Sequence, residues 1–251
     1  LGPEPTNTFE YIYGNMPIVY IIIIPILAMN TIAGEMRNKT DQMLYTSPVS
    51  ITKIVMGKYL AMCTVLLIPL AITAIYPFIL TTYGNIAIWT CLASMFSFFL
   101  LGCSLIAVCM FVSSLTENQL IAAILGIASS LGLYLLGSLV GMIPASAIAS
   151  LIGFAVLAVI LTAIVYLLMR NYVITSIVGC VTVIPLAVAY IINSEAFASL
   201  FPKTLEYLAL FDRFYSFLGG IFDIGAIVYY ISFAIFFIFL TVQSFDKRRW
   251  S

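Results

Sequence analysis

The sequence predicts an all-α polytopic membrane protein, and three observations predict it. Of its 251 residues 63% are hydrophobic and only 8% are charged, whereas a soluble domain carries about a quarter charged residues. The mean hydropathy is +1.17. The charges are also bunched, leaving uncharged runs as long as the 58 residues between Lys58 and Glu117. A helix of about 20 apolar residues crosses the hydrocarbon core. In lipid each backbone N–H and C=O must be satisfied within the structure, which helices accomplish segment by segment.

The gaps between charges place seven spans, at residues 16–33, 53–82, 86–112, 117–142, 151–169, 173–192 and 224–242. Tyr83-Gly84-Asn85 splits the second from the third, and Pro144 the fourth from the fifth. Lys and Arg mark the cytoplasmic side of a membrane protein. With residues 34–58 inside, the inner side holds Arg37, Lys39, Lys53, Lys58, Arg170, Lys247, Arg248 and Arg249, and the outer side only Lys203 and Arg213. The N-terminus is then outside and the C-terminus cytoplasmic. Residues 1–15 are polar, carry Glu4 and Glu10, and begin at Leu1 without the pattern of a signal peptide. One further span upstream is therefore expected.

The first span carries Pro17, at a position where helix starts tolerate proline, and Pro25, which is expected to kink it. The segment from Gly34 to Tyr59 follows, and it concentrates Glu35, Arg37, Lys39, Asp41, Lys53 and Lys58, six of the chain's twenty charges. Its first part, residues 35–45, reads as a short amphipathic helix with Met36, Met43 and Leu44 on the apolar side. The alternative is a solvated interfacial loop. Ser47-Pro48 and Ser50 are cap signals, after which a helix is expected to run unbroken from Ile51 to Ile79. In the second inner loop Thr116 and Gln119 fit a capping box opening the fourth span. Glu117 would lie in its first turn, where it suits the helix dipole. That span carries Gly126, Ser130, Gly137 and Gly141, and Gly137 with Gly141 makes a small-xxx-small packing face. Before the last span, Leu200, Leu205, Leu208, Phe211, Phe214 and Leu218 recur near helical spacing. They stand opposite Lys203, Glu206, Asp212 and Arg213. This predicts an amphipathic helix on the outer interface, within residues 194–223 and ended by Gly219-Gly220.

What the sequence lacks narrows its chemistry. It has no histidine, and its five cysteines (Cys63, Cys91, Cys103, Cys109 and Cys180) sit in apolar runs without metal-ligand spacing. There is no P-loop and no H-E-x-x-H, so neither ATP hydrolysis nor zinc-protease chemistry is expected of this chain. No basic patch interleaved with aromatics points to nucleic acid. No ionisable residue lies deep in a span, which disfavours an ion-coupled pump. What remains is a membrane channel former driven from elsewhere, with the polar segment as its input.

EMRNKTDQMLYTSPVS at Glu35–Ser50, followed by IVMGK at Ile54–Lys58, resembles the E-x-R-x-G-T-x-E-x-L-x-x-S-P-V-S…I-x-x-G-K signature of type-2 ABC transporter permeases. The nearest branch is the gliding-motility-associated permease subgroup. FVSSLTENQL at Phe111–Leu120 and the ending at Phe239–Trp250 fit the same subgroup. Three departures stand out. Lys39 replaces the signature glycine and Gln42 its acidic residue, the family's first span is absent, and residues 143–193 look like an extra helical pair inserted before the last span.

The resemblance implies one transmembrane permease domain over residues 1–251 with the type-2 ABC exporter fold. It implies a bacterial plasma-membrane subunit that forms a substrate pathway as a dimer, with a second copy or a related permease. Two separate ATPase subunits would hold the ATP and Mg, so no cofactor is implied for this chain. An accessory extracytoplasmic subunit and membrane lipid are further implied partners. Carried onto this sequence, residues 34–58 are the cytoplasmic coupling segment. Glu35, Arg37 and Thr40 are its polar contacts, Met43 and Leu44 its apolar anchors, and Ser47 and Pro48 its cap. Two other readings stand beside this one: a non-transporting scaffold, mechanical or signalling subunit of an ABC-type complex, and an ion-coupled secondary transporter.

Overall fold

The structure is a computed structural model describing residues 14–40, 49–82, 88–144, 146–169, short stretches between 172 and 198, 200–218 and 222–249. Among the described residues all regular structure is helical: α1 Pro17–Thr31, α2 Ala33–Arg37, α3 Ile51–Thr73, α4 Ile75–Leu80, α5 Ile88–Ser114, α6 Gln119–Met142, α7 Ala147–Met169, α8 Leu200–Leu208, α9 Leu210–Leu218 and α10 Ile224–Arg249. Five stretches are long and apolar enough to cross a membrane: Pro17–Arg37, Ile51–Ile79, Ile88–Ser114, Gln119–Met142 and Ile224–Arg248. The all-α polytopic class is thus observed. The span expected at 151–169 lies within α7, whose described apolar stretch, Ala147–Val159, is shorter. The one expected at 173–192 lies largely outside the described residues.

Proline places one helix boundary and not another. Pro17 opens α1, where its missing N–H has no intrahelical partner to lose. The kink expected at Pro25 does not interrupt α1, which continues to Thr31 and breaks at Ile32 (φ −119°, ψ −64°). The helix expected unbroken to Ile79 is divided at Ala74. Pro77 is the cause: it has no N–H for the Thr73 carbonyl, and its ring crowds that carbonyl. The 29 residues of Ile51–Ile79 still make a rod of about 44 Å, longer than the hydrocarbon core of about 30 Å.

The chain forms two compact units, residues 1–134 with 210–251, and residues 135–209. The first is built around α5, whose Leu101, Leu105, Ile106 and Met110 are fully buried. α1, α3, α9 and α10 pack on it. Aromatic rings fill one level of this core. Tyr20 stacks on Phe98 at 4.0 Å, and Phe98 meets Phe214 at 5.7 Å. Small hydroxyls tie the helices together, since a serine on an apolar helix gains most by bonding to a neighbour's backbone. Ser94 Oγ donates to the Phe217 carbonyl (3.4 Å) and Ser104 Oγ to that of Tyr230 (3.1 Å). The Tyr230 hydroxyl donates to the Leu210 carbonyl (2.9 Å). In the second unit α7 lies against α8. Gly153 leaves no room for a Cβ beneath the Phe201 ring, and Ser150 Oγ donates to the Ala198 carbonyl at 2.8 Å.

The single interfacial helix expected within residues 194–223 is instead two, α8 and α9, with Ala209 between them. Lys203, Glu206 and Asp212 are exposed as the periodicity predicts, but Arg213 is half-buried with its guanidinium over the Tyr229 ring at 4.3 Å, and Leu200 and Leu208 of the expected apolar face are exposed. The apolar face of α9 (Leu210, Phe211, Phe214, Phe217) is fully buried in the first unit, packed on α5. That face covers protein, because five large apolar side chains within nine residues complete the core beside α5. Gly219 and Gly220 lie outside the described residues.

Candidate functional site

The polar segment after the first span begins in the core and ends in solvent. In α2, Ala33, Gly34 and Met36 are buried and Glu35 is half-buried, while Arg37, Asn38, Lys39 and Thr40 are exposed. The amphipathic helix expected over residues 35–45 ends at Arg37. The chain reverses through a Schellman motif: the Lys39 N–H donates to the Met36 carbonyl (3.1 Å) and the Thr40 N–H to that of Glu35 (3.1 Å). Lys39 takes φ +57°, the left-handed region that side chains disfavour. This is the position where the resembled signature carries glycine, so that substitution was the signal for a helix end. Thr40 Oγ1 also donates to the Glu35 carbonyl at 3.2 Å.

Two other helices hold the break at Ile32. Ser113 Oγ, at the end of α5, donates to the Ala28 carbonyl (3.2 Å) and accepts from the Ala33 N–H (3.1 Å), so one buried hydroxyl serves orphan groups on both sides. Lys58 of α3 does the same with charge. Its ammonium donates to the Thr31 carbonyl at 2.9 Å and pairs with the Glu35 carboxylate. The side chains are 13% and 36% exposed. A third tie runs from Gln119 Nε2 to Asn30 Oδ1.

The loop from α5 to α6 completes this end. The capping box expected from Thr116 and Gln119 is not formed. Asn118 is the cap, its Oδ1 accepting from the N–H groups of Leu120 (3.0 Å) and Ile121 (3.4 Å). Thr116 Oγ1 accepts from Asn118 itself (3.2 Å). Asn118 lies two residues nearer the helix, so its carboxamide reaches the first free N–H groups and leaves Gln119 for Asn30. Glu117 pairs with Arg248 at 3.0 Å, and Ser244 Oγ donates to the Ser114 carbonyl at 3.3 Å.

Of the predicted contact residues, Glu35, Arg37 and Thr40 are thus brought together around one turn, with Glu35 engaged internally. Met43, Leu44, Ser47 and Pro48 lie outside the described residues. Met36, expected on the bilayer or partner side, is 5% exposed and belongs to the core. Gly137 is half-buried and Gly141 exposed, and a Cβ added at Gly141 would meet nothing within 4 Å. The close small-residue contact falls about three turns earlier, where a Cβ on Gly126 would come within 2.9 Å of Pro25 Cβ. Lys58 and Ser113 were not singled out as site residues. A lysine within the resembled I-x-x-G-K block and a serine in an apolar helix were the available signals.

Beside this end, α3, α5 and α10 enclose an open cleft of about 610 Å³. Its walls include Met56, Ile235, Ile238 and Phe239, with Gln243 and Asp246 toward the end of α10. Such a cleft accepts an apolar chain along its length and a hydrogen-bonding group at its end. Among the described residues, no three His, Cys, Asp or Glu side chains converge on a possible metal site.

A protein-family model described as ABC-2 family transporter protein matches residues 2–172, which include the break, the turn and the α5–α6 loop. Comparison with curated proteins and comparison with solved structures gave no match.

Proposed function

From the premise that this chain belongs to the ABC-2 family of transporter proteins, we propose that residues 35–50 couple it to separate ATPase subunits. The chain is a multi-pass membrane subunit of an ABC transporter. In the proposed assembly two permease subunits, identical or related, form the pathway, and two ATPases on the cytoplasmic side bind ATP and Mg and hydrolyse the nucleotide. The polar segment faces those ATPases, the C-terminus is cytoplasmic and residues 1–15 are outside, as the distribution of Lys and Arg favours. The membrane is the bacterial plasma membrane, and the subgroup is the gliding-motility-associated one that the signature blocks resemble. Each subunit offers the cleft between α3, α5 and α10 to the pathway.

The observation that carries this reading is the turn after α2. It presents three consecutive exposed polar side chains, Arg37, Asn38 and Lys39, on a turn tied to the core by Glu35, and its two cations suit a partner surface bearing acidic groups. Glu35 itself supports the turn, and Arg37, Lys39 and Thr40 are its contact face. The test is affinity purification of the tagged protein in mild detergent beside an Arg37→Glu/Lys39→Glu variant. An ATPase recovered with the wild type and lost with the variant is the expected result. Recovery with both would put the contact elsewhere, and recovery with neither would end the coupling reading.

A further inference from the structure

We propose that Lys58 is a positioning residue for coupling: through its ion pair with Glu35 it is the strut that carries displacement of the exposed turn into α3. The inference rests on the docking reading above and adds the path that force takes.

The chain offers a push on residues 37–40 two covalent routes, back through α2 into α1 and forward through residues 41–50 into α3. The first is interrupted at Ile32, where the helical ladder is broken (φ −119°, ψ −64°). A broken ladder bends under load unless something spans it. Lys58 spans it, because its one ammonium holds the last carbonyl before the break at residue 31 (2.9 Å) and the Glu35 carboxylate after it. The Lys58 side chain is only 13% exposed, which limits the water that can replace these partners, so the pair resists opening. The strut's foot is well placed. Lys58 stands next to Tyr59 and half a turn from Met56, both of which line the cleft of α3, α5 and α10. Motion of the turn is thereby delivered to the cleft wall within a single side chain's length. Ser113 braces the same break from α5 with two uncharged bonds, which keep the joint closed without reaching α3.

The test has one arm on the chain alone and one on the complex. Spin labels go on Asn38, which is exposed, and on Gly57, where an added side chain meets nothing within 4 Å. The background is Cys180→Ser, because the other four cysteines are buried. In Lys58→Met the distance distribution should broaden, and in Lys58→Arg, whose guanidinium can still donate to both the Thr31 carbonyl and the Glu35 carboxylate, it should stay close to the wild-type width. In the complex with its co-purifying ATPase, Lys58→Met should retain the ATPase. Stimulation of ATP turnover by the membrane subunit should fall about tenfold and be kept in Lys58→Arg, which retains a cationic donor for both partners. An unchanged distance distribution in Lys58→Met overturns the strut whether or not an ATPase is present. Unchanged stimulation also overturns it, because the covalent route through residues 41–50 then suffices. Loss of the ATPase itself from Lys58→Met would make the lysine a docking contact and would equally overturn the strut. Absence of an ATPase from the wild type refutes the docking reading and leaves the distance arm to decide.

Discussion

Replacing Ser113 by alanine removes one oxygen and should cost far more than its size suggests. The hydroxyl makes two hydrogen bonds, to the Ala28 carbonyl at 3.2 Å and from the Ala33 N–H at 3.1 Å. Ala28 and Ala33 are 1% and 0% exposed, so water cannot take over. A buried polar group left unpaired costs about 1–3 kcal/mol. The two together come to about 3 kcal/mol if the helix relaxes partly around the gap. For a chain of this size each kcal/mol moves the melting temperature by about 2–4 °C, giving a fall of about 6–12 °C. The assay is thermal unfolding in detergent by scanning fluorimetry, with hydrogen exchange at residues 33–37 read in parallel. Ser113→Cys, a weaker donor and acceptor of similar shape, should fall between the two. A melting temperature within about 1 °C of wild type and unaltered exchange at residue 33 would refute the argument. It would mean that the helix closes its own ladder across Ile32 at no cost.

Four further outcomes are expected. Gly126→Val should destabilise the protein by about 1–3 kcal/mol in the same assay, because its Cβ falls 2.9 Å from Pro25 and a proline ring cannot swing aside. Gly57→Ala should do the reverse, raising stability by about 1 kcal/mol, since it is helical and the added methyl meets nothing within 4 Å. Lys39→Gly should relieve the left-handed φ of +57° by about 1 kcal/mol, and exchange at the Thr40 amide should slow about fivefold. Asn118→Ala removes the cap of α6 and should cost about 1 kcal/mol, with faster exchange confined to residues 120–122.

The features legible in the sequence are those with a local cause. Uncharged apolar runs located the five spanning stretches, and a division at Ala74 could have been read from Pro77, four residues past Thr73. The exposure of Lys203, Glu206 and Asp212 followed from periodicity, whereas the turn of Arg213 toward Tyr229 did not. What escaped has its cause elsewhere in the chain. Ile32 falls inside the expected first span, with no proline at residue 36 to break the helix there. Its partners, Lys58 and Ser113, are 26 and 81 residues away. Glu35 was given a partner-contact role by the family resemblance, which carries a position and not its neighbours, and only the fold supplies the lysine that pairs with it. Met36 was misplaced for the same reason, since spacing gives a face but not what covers it. Asn118 and Thr116 are both good caps, and only the path of the loop decides between them.

The tie at Ser113 also makes the first helix one member of a braced frame. α5 is fastened to α10 at two heights, Ser104 to Tyr230 and Ser114 to Ser244, and α10 to α9 through Tyr230. These three form a beam. The first helix is fastened to that beam near both ends, by Ser113 at residues 28 and 33 and by the Tyr215 hydroxyl of α9, which donates to the Gly14 carbonyl at 3.4 Å, and between these ties Tyr20 stacks on Phe98. Pinned at residues 14 and 28, about 21 Å apart at 1.5 Å per residue, it cannot pivot about one tie without breaking the other.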